Sequence, residues 1–177
     1  ALHGLIGPNG AGKTTVFNLL TGVYRPDAGT IGLDGSDLLG LKPHQIAKAG
    51  MSRTFQNIRL FPNLSVLDNV RIACHLRGEH ALVPTVLRFP KQQAQEKSIL
   101  ERSRRLLTLF ELDDRRDEEA SSLPYGDQRR LEIARALATD PKVVLLDEPA
   151  AGMNPKETHA LAKLIRRLRD EFAMTIL

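Results

Sequence analysis

Apolar residues follow two patterns along the chain, short runs and helical spacings. Short runs predict strands in the first and last thirds, at 1–6, 30–33, 51–55, 142–146 and from 174 onward. Helical spacing predicts helices at 13–20, 43–49, from 65 toward 78, at 92–112, at 127–138 and from 155 onward. Strands alternating with helices at both ends, around an all-helical middle, indicate an α/β core with a helical insertion.

Local signals at the helix ends agree with this pattern. Ser65 to Asp68 resembles a capping box, and Gly22 suits the left-handed residue that ends a helix. Asn154, Pro155 and Glu157 supply an N-cap, a proline at the first helical position and a glutamate three residues after the cap. Residues 81–90 are an irregular apolar stretch.

Composition and charge bear on the number of domains, on membrane helices and on the class of ligand. The 177 residues, 42% of them hydrophobic, suit one domain or one domain with an inserted lobe. No run approaches the ~20 apolar residues that a membrane helix needs. The formal charge of +4 is spread thinly along the chain, so it suits phosphate ligands or an anionic lipid surface better than nucleic acid.

The first chemical motif lies between the first strand and the first helix. It fits the pattern G-x-x-x-x-G-K-[ST] and comprises Gly7, Pro8, Asn9, Gly10, Ala11, Gly12, Lys13 and Thr14, followed by Thr15. Its glycines let the backbone curl so that successive N–H groups face phosphate oxygens, next to the positive end of the helix. Lys13 supplies a charge between the β- and γ-phosphates, and Thr14 offers a hydroxyl to Mg²⁺. The motif therefore predicts a phosphate-bearing ligand together with Mg²⁺.

Two carboxylates follow the apolar strand at 142–146. Ligands of open α/β sheets bind beyond the carboxyl ends of the strands, where the glycine loop also lies. Asp147 is therefore predicted to hold Mg²⁺, and Glu148 to accept a proton from an attacking water.

Four motifs, taken in order, resemble those of ABC transporter ATPases. They are the phosphate loop, Gln56 within 54–57, the segment 123–137, and the strand that ends at Asp147, Glu148 and Pro149. Three stretches, 12–22, 53–61 and 148–158, are similar to the ATP-binding subunits of bacterial branched-chain amino acid uptake systems. The resemblance implies a P-loop NTPase core with a parallel sheet at 1–64 and 121–177, and an inserted helical subdomain at 65–120.

The resemblance also implies that the cofactors are ATP and Mg²⁺, and it implies roles for individual residues. Gln56 touches Mg²⁺ or the attacking water, so the expected catalytic residues are Glu148, Gln56 and Lys13, and the expected metal ligands are Thr14, Gln56 and Asp147. The signature loop, which meets the nucleotide of the opposite subunit, consists of Pro124, Tyr125, Gly126, Asp127 and Gln128.

The implied partners are a second ATP-binding subunit, identical or different, and integral membrane permease subunits that contact the region after Gln56. A periplasmic binding protein takes part indirectly, and no nucleic acid is expected. The implied location is peripheral, on the cytoplasmic face of the cell membrane. The resemblance further implies a chain truncated at both ends, without the upstream aromatic that stacks on adenine or the switch histidine after the last strand.

The signature loop departs from the usual Leu-Ser-Gly-Gly-Gln. Pro124 replaces a serine, which removes a hydroxyl and a backbone N–H, and Asp127 adds negative charge near a polyphosphate. We therefore expect slower hydrolysis at the site that this loop completes.

Two other functions fit parts of the sequence. The first is a soluble ABC ATPase that acts in DNA repair or on ribosomes. Repair members insert long coiled coils between the phosphate loop and the acidic strand, but only 134 positions separate Lys13 from Asp147. Ribosome-acting members fuse two ATPase units, and one unit is visible in this sequence. A nucleotide-binding subunit with impaired turnover is the other alternative, which Pro124 makes conceivable.

Overall fold

The structure, a computed structural model, describes residues 1–75 and 90–177. Nothing is described of the side chains of residues 90–92, and the predicted irregular stretch lies outside the described residues except for position 90. By internal contacts the chain divides into two compact units, residues 1–57 with 141–177 and residues 58–140. The functional domain limits derived from the sequence stay a prediction.

The first unit contains a parallel sheet of three strands in the order β3–β4–β5. The strands of this unit are β1 (Gly32–Leu33), β2 (Ser36–Asp37), β3 (Met51–Thr54), β4 (Val143–Leu146) and β5 (Thr175–Ile176). Met51 lies opposite Val143 and Thr54 opposite Leu146, so β3 and β4 end at the same edge. The antiparallel pair β1–β2 forms a separate two-stranded sheet.

The start of the chain runs beside β5, but it is not the six-residue strand that the sequence predicts. Leu2 bridges Ile176 in parallel, and the N–H of His3 donates to the carbonyl of Ile176 over 2.8 Å. The predicted strand at 30–33 is likewise shorter, at Gly32–Leu33.

Three helices complete the first unit: α1 (Lys13–Leu20), α2 (Pro43–Ala49) and α6 (Pro155–Phe172). The spacing of Val16, Leu19 and Leu20 predicts one apolar face for α1, but the buried residue of this helix is Phe17, and Val16 is 41% exposed. Phe17 joins a core formed with four buried residues of other elements. These are Leu38, Ile46, Met51 and Leu145.

Two helix ends confirm local predictions. Asn154 accepts from the N–H of Glu157 while the Glu157 carboxylate accepts from the N–H of Asn154, which is the reciprocal capping box. Gly22 has φ +69° just after α1, as expected of a left-handed terminator.

The second unit is helical, with α3 (Val66–Cys74), α4 (Pro90–Leu109) and α5 (Tyr125–Ala138) packed pairwise. Short 3₁₀ turns lie at Asp113–Arg115 and Ala120–Ser122. The apolar positions of the long helix predict four packing residues, and all four lie in the core of this unit. These are Ile99, Leu106, Leu107 and Phe110, each no more than 7% exposed. None of the described helices is both long and apolar enough to cross a bilayer.

Candidate functional site

The glycine loop of the first unit bends through left-handed conformations that favour glycine. Gly10 has φ +83°, and Gly12, the N-cap of α1, has φ +85°. The first bond of α1 runs from the N–H of Val16 to the carbonyl of Gly12, so the N–H groups of residues 13–15 have no acceptor within the helix. These donors and the positive helix end form an environment suited to phosphate.

The ammonium group of Lys13 lies inside the curve of this loop. Its Nζ donates to the carbonyl oxygens of Gly7 at 2.7 Å and Pro8 at 2.9 Å. Because a lysine ammonium is a mobile point charge, it can exchange carbonyl oxygens for phosphate oxygens without moving its backbone.

The two carboxylates after β4 lie in different surroundings. Asp147 is 6% exposed at the end of the buried strand, whereas Glu148 is exposed. Glu148 also has φ +46°, a conformation that is costly for a residue with a side chain and that concentrates at functional sites. The neighbouring carboxylates are thus separated into one buried and one solvent-facing group.

The structure brings two of the predicted catalytic residues into contact. Nε2 of Gln56 donates to Oε2 of Glu148 over 3.2 Å, although the residues are 92 positions apart in sequence. Gln56 follows β3 by two residues, and Glu148 follows β4 by two. Their contact therefore results from the parallel register of the two strands.

A cavity of about 290 Å³ in the first unit is lined by Lys13, Asp147 and Glu148 together with apolar side chains. Its apolar lining includes Leu2, Leu5, Phe17 and Ile165. The cavity therefore joins the phosphate loop to the acidic pair within one concave surface.

The predicted metal ligands supply the oxygen donors that Mg²⁺ prefers, namely the Thr14 hydroxyl, the Asp147 carboxylate and the Gln56 amide oxygen. In the described residues, no three His, Cys, Asp or Glu side chains cluster closely enough to hold a metal ion. Oxygen donors of this kind fit Mg²⁺ that one or two side chains and nucleotide phosphates hold together.

Sequence reasoning missed one residue of this site. Arg53 in β3 forms an ion pair with Asp147, with 2.9 Å between Nη2 and Oδ2. An arginine inside an otherwise buried strand was the available signal, because such a charge requires a partner.

The signature loop belongs to the second unit and begins α5. Pro124 is the N-cap of this helix, with φ −54° and ψ 152°, and provides no side-chain cap. Its carbonyl accepts from the N–H groups of Asp127 and Gln128, and the amide of Gln128 donates to the carbonyl of Leu123 over 2.8 Å. Tyr125 is 44% exposed, so the loop presents an aromatic ring at the surface.

The negative charge of Asp127 is paired. Nη1 of Arg115 lies 3.0 Å from Oδ2 of Asp127, and the same guanidinium binds both carboxylate oxygens of Glu118. Arg115 holds the pKa of Glu118 below its ordinary value, and hydrogen bonds to Glu118 raise the pKa of Arg115. One arginine thus serves two carboxylates beside the signature loop.

A buried ion pair in α5, one turn after the signature loop, contacts residues 59–61. Nη1 of Arg129 lies 2.6 Å from Oε2 of Glu132, and the side chains are 0% and 3% exposed. Oε1 of Glu132 accepts from the backbone N–H of Arg59, and Arg135 lies over the ring of Phe61 at 5.4 Å. Helix α5 therefore supports both the signature loop and residues 59–61.

Comparison with known proteins gives consistent results. A family described as "ABC transporter" matches residues 1–151. The chain is 49% identical over 173 residues to the high-affinity branched-chain amino acid transport ATP-binding protein LivG of Escherichia coli (strain K12), covering 98% of this chain and 68% of LivG. It is 46% identical to the corresponding protein BraF of Pseudomonas aeruginosa, with the same coverage.

Solved structures agree on the fold. The ADP conformation of MJ1267, an ATP-binding cassette of an ABC transporter, has a TM-score of 0.80 and 30% identity, covering 97% of this chain and 66% of that one. A dimeric post-hydrolysis state of the cassette MJ0796, bound to ADP and Pi, has a TM-score of 0.74 and 25% identity, covering 96% and 69%. The chain spans about two thirds of the length of these relatives. With the family match, the LivG identity and these neighbours in agreement, the chain belongs to the ABC transporter family as an ATP-binding subunit with the P-loop NTPase fold.

Proposed function

We propose that this protein binds and hydrolyses ATP as a subunit of a bacterial ABC importer for branched-chain amino acids. The contact of 3.2 Å between Gln56 and Glu148 is the observation that carries the proposal of hydrolysis, because Glu148 lines the same cavity as Asp147 and Lys13. The printed names of LivG and BraF, which describe branched-chain amino acid transport, support the cargo.

The phosphates would lie in the glycine loop formed by residues 7–15. Backbone N–H groups at the start of α1 donate to phosphate oxygens there, and Lys13 neutralises charge between the β- and γ-phosphates. This arrangement fixes the γ-phosphate at the edge of the sheet where Asp147 and Glu148 emerge.

Hydrolysis requires a base and an orienting group near that phosphate. Glu148 accepts the proton of the attacking water, because its carboxylate faces solvent. Gln56 holds the water and the Glu148 carboxylate in a common geometry through the hydrogen bond described above.

Mg²⁺ would be held by Thr14 and Asp147, with Gln56 near its coordination shell, and would neutralise the charge that develops on the phosphates. Asp147 suits this role because its carboxylate is buried at the end of a rigid strand. Lys13 and the N–H groups at the start of α1 would orient the phosphates.

The signature loop, Pro124 to Gln128, would bind the ATP of a second subunit, identical or different. The dimeric state of MJ0796 supports such pairing. Permease subunits would contact the surface after Gln56, and a periplasmic binding protein would act indirectly. The chain would then lie peripherally on the cytoplasmic face of the membrane, with residues 65–120 as the helical subdomain of the core at 1–64 and 121–177.

The decisive experiment is the variant Glu148→Gln in the full-length protein. Removing the general base lowers turnover about 10²–10⁴-fold while nucleotide binding persists, so ATP-bound dimers accumulate in gel filtration. Glu171→Gln, which changes an exposed carboxylate of the same unit, serves as the control and retains turnover. Unchanged hydrolysis in Glu148→Gln would refute the assignment.

A further inference from the structure

The side chain of Arg53 is enclosed at the edge of the sheet where the acidic pair emerges. The exposed fraction of the Arg53 side chain is 5%, and that of the Asp147 side chain alone is 8%. Arg53 lies opposite Leu145 in the parallel register, and side chains two apart on a strand share a face. Asp147 is therefore one step beyond Arg53 on the same face, which explains how two groups 94 positions apart meet at 2.9 Å.

The rest of the guanidinium is held by the C-terminal end of α1, the helix that begins in the phosphate loop. Nη1 donates to Oδ1 of Asn18 at 2.6 Å and to Oγ1 of Thr21 at 3.4 Å, and both acceptors belong to the end of α1 or its cap. The guanidinium carbon also lies 5.5 Å from the centre of the Phe17 ring and 4.9 Å from that of Phe55.

One side chain thus connects three parts of the proposed site. It contacts α1, which begins in the phosphate loop, Asp147, which would bind Mg²⁺, and Phe55, which immediately precedes Gln56. A planar guanidinium can hydrogen-bond in its plane while rings contact its faces, whereas a lysine ammonium cannot satisfy both requirements.

We propose that Arg53 is a positioning residue that fixes the Asp147 carboxylate for the Mg²⁺–nucleotide complex, an inference that rests on the proposed function. Groups that hold a metal ligand in orientation commonly change metal affinity by about 10–100-fold when they are removed. Arg53 binds one carboxylate oxygen of Asp147 and ties it to α1, so the ligand and the phosphate loop keep one relative geometry.

The test compares binding of a fluorescent ATP analogue by the full-length protein in Mg²⁺ and in EDTA. In Arg53→Met, affinity in Mg²⁺ falls about 10–100-fold, while affinity in EDTA changes less than about twofold. Arg53→Lys retains a charge for Asp147 but not the contacts with Asn18, and it gives an intermediate loss in Mg²⁺. Should Arg53→Met fail to fold, Asn18→Ala provides a second variant. It removes the hydrogen bond from Arg53 to Asn18 but leaves both Arg53 and Asp147 in place, and it should lower affinity in Mg²⁺ relative to affinity in EDTA.

The matched control is Lys142→Met, which removes an exposed cation paired with Asp34 in the same unit and leaves both affinities unchanged. Equal losses in Mg²⁺ and EDTA would show a merely structural role, and tighter binding of the Mg²⁺ complex would show that Arg53 competes with the metal. Either result overturns the proposal. Absence of nucleotide binding by the wild-type protein would instead refute the proposed function itself.

Discussion

Arg115 pairs with Asp127 across 3.0 Å in the first turn of α5, within the signature loop. From the sequence, the aspartate introduces a negative charge where a nucleotide of the opposite subunit is expected. The structure places a cation directly beside it, while the same cation also binds Glu118. The charge of Asp127 is therefore partly compensated within its own unit, before any partner binds.

The variant Arg115→Met should weaken ATP-driven association of the subunits. It removes the cation beside Asp127, and because the pair is partly open to solvent we expect the dimer dissociation constant to rise no more than roughly fivefold. Analytical sedimentation measures this dissociation constant when Arg115→Met is made in the Glu148→Gln protein and ATP is bound. Adding Asp127→Asn to Arg115→Met should restore association, and a double variant as weak as Arg115→Met alone would contradict the electrostatic argument.

Pro124→Ser should raise the rate of ATP hydrolysis several-fold. Pro124 is the N-cap of α5, the position at which a serine hydroxyl caps the first turn, and proline contributes neither a hydroxyl nor an N–H there. Steady-state phosphate release measures the rate. The control is Pro124→Ala, which restores the N–H without the hydroxyl, and an unchanged rate in both variants would remove proline as a cause of slow turnover.

The elements of the fold were predictable because their signals are local. The reciprocal cap of Asn154 and Glu157 depends on residues three apart, and the apolar run of β4 is visible as a run. The strand at the start of the chain was predicted too long, since an apolar run does not reveal where its pairing partner ends. Only Leu2 finds a bridge, to Ile176.

The polar connections of the site could not be derived in this way. The pairs formed by Arg53 with Asp147 and by Gln56 with Glu148 join residues more than 90 positions apart, and they exist only because β3 and β4 align in one register. The motifs indicated which groups carry the chemistry. The register of β3 against β4 determines which of these groups touch, and no single segment of the sequence specifies how two distant strands align.

Glu132→Ala should destabilise the second unit strongly. It leaves the guanidinium of Arg129, which is fully buried, without its carboxylate, and breaking such a pair costs about 3–5 kcal/mol. The N–H of Arg59 also loses the acceptor described above. Urea unfolding followed by circular dichroism measures the change.

The exposed pair of Arg167 and Glu171 provides the comparison for that measurement. Glu171→Ala removes the same chemical group from an exposed i, i+4 pair, where the expected loss is below about 0.5 kcal/mol. Similar losses in Glu132→Ala and Glu171→Ala would mean that burial adds nothing to the pair in α5.

Gly22→Ala should destabilise the first unit more than the same change at Gly40. Both glycines are left-handed, at φ +69° and +76°, so each alanine carries a backbone cost of roughly 1–2 kcal/mol. A Cβ at Gly22 would lie 2.7 Å from the carbonyl oxygen of Leu41 and 2.8 Å from Cδ1 of Ile46, whereas nothing lies within 4 Å of a Cβ at Gly40. The collision should add about 1–3 kcal/mol, because a backbone oxygen cannot move aside without shifting the chain that carries it. Thermal unfolding of the two variants isolates the steric part, since the backbone cost is nearly the same in both, and equal stabilities would show that α1 and α2 separate easily at this contact.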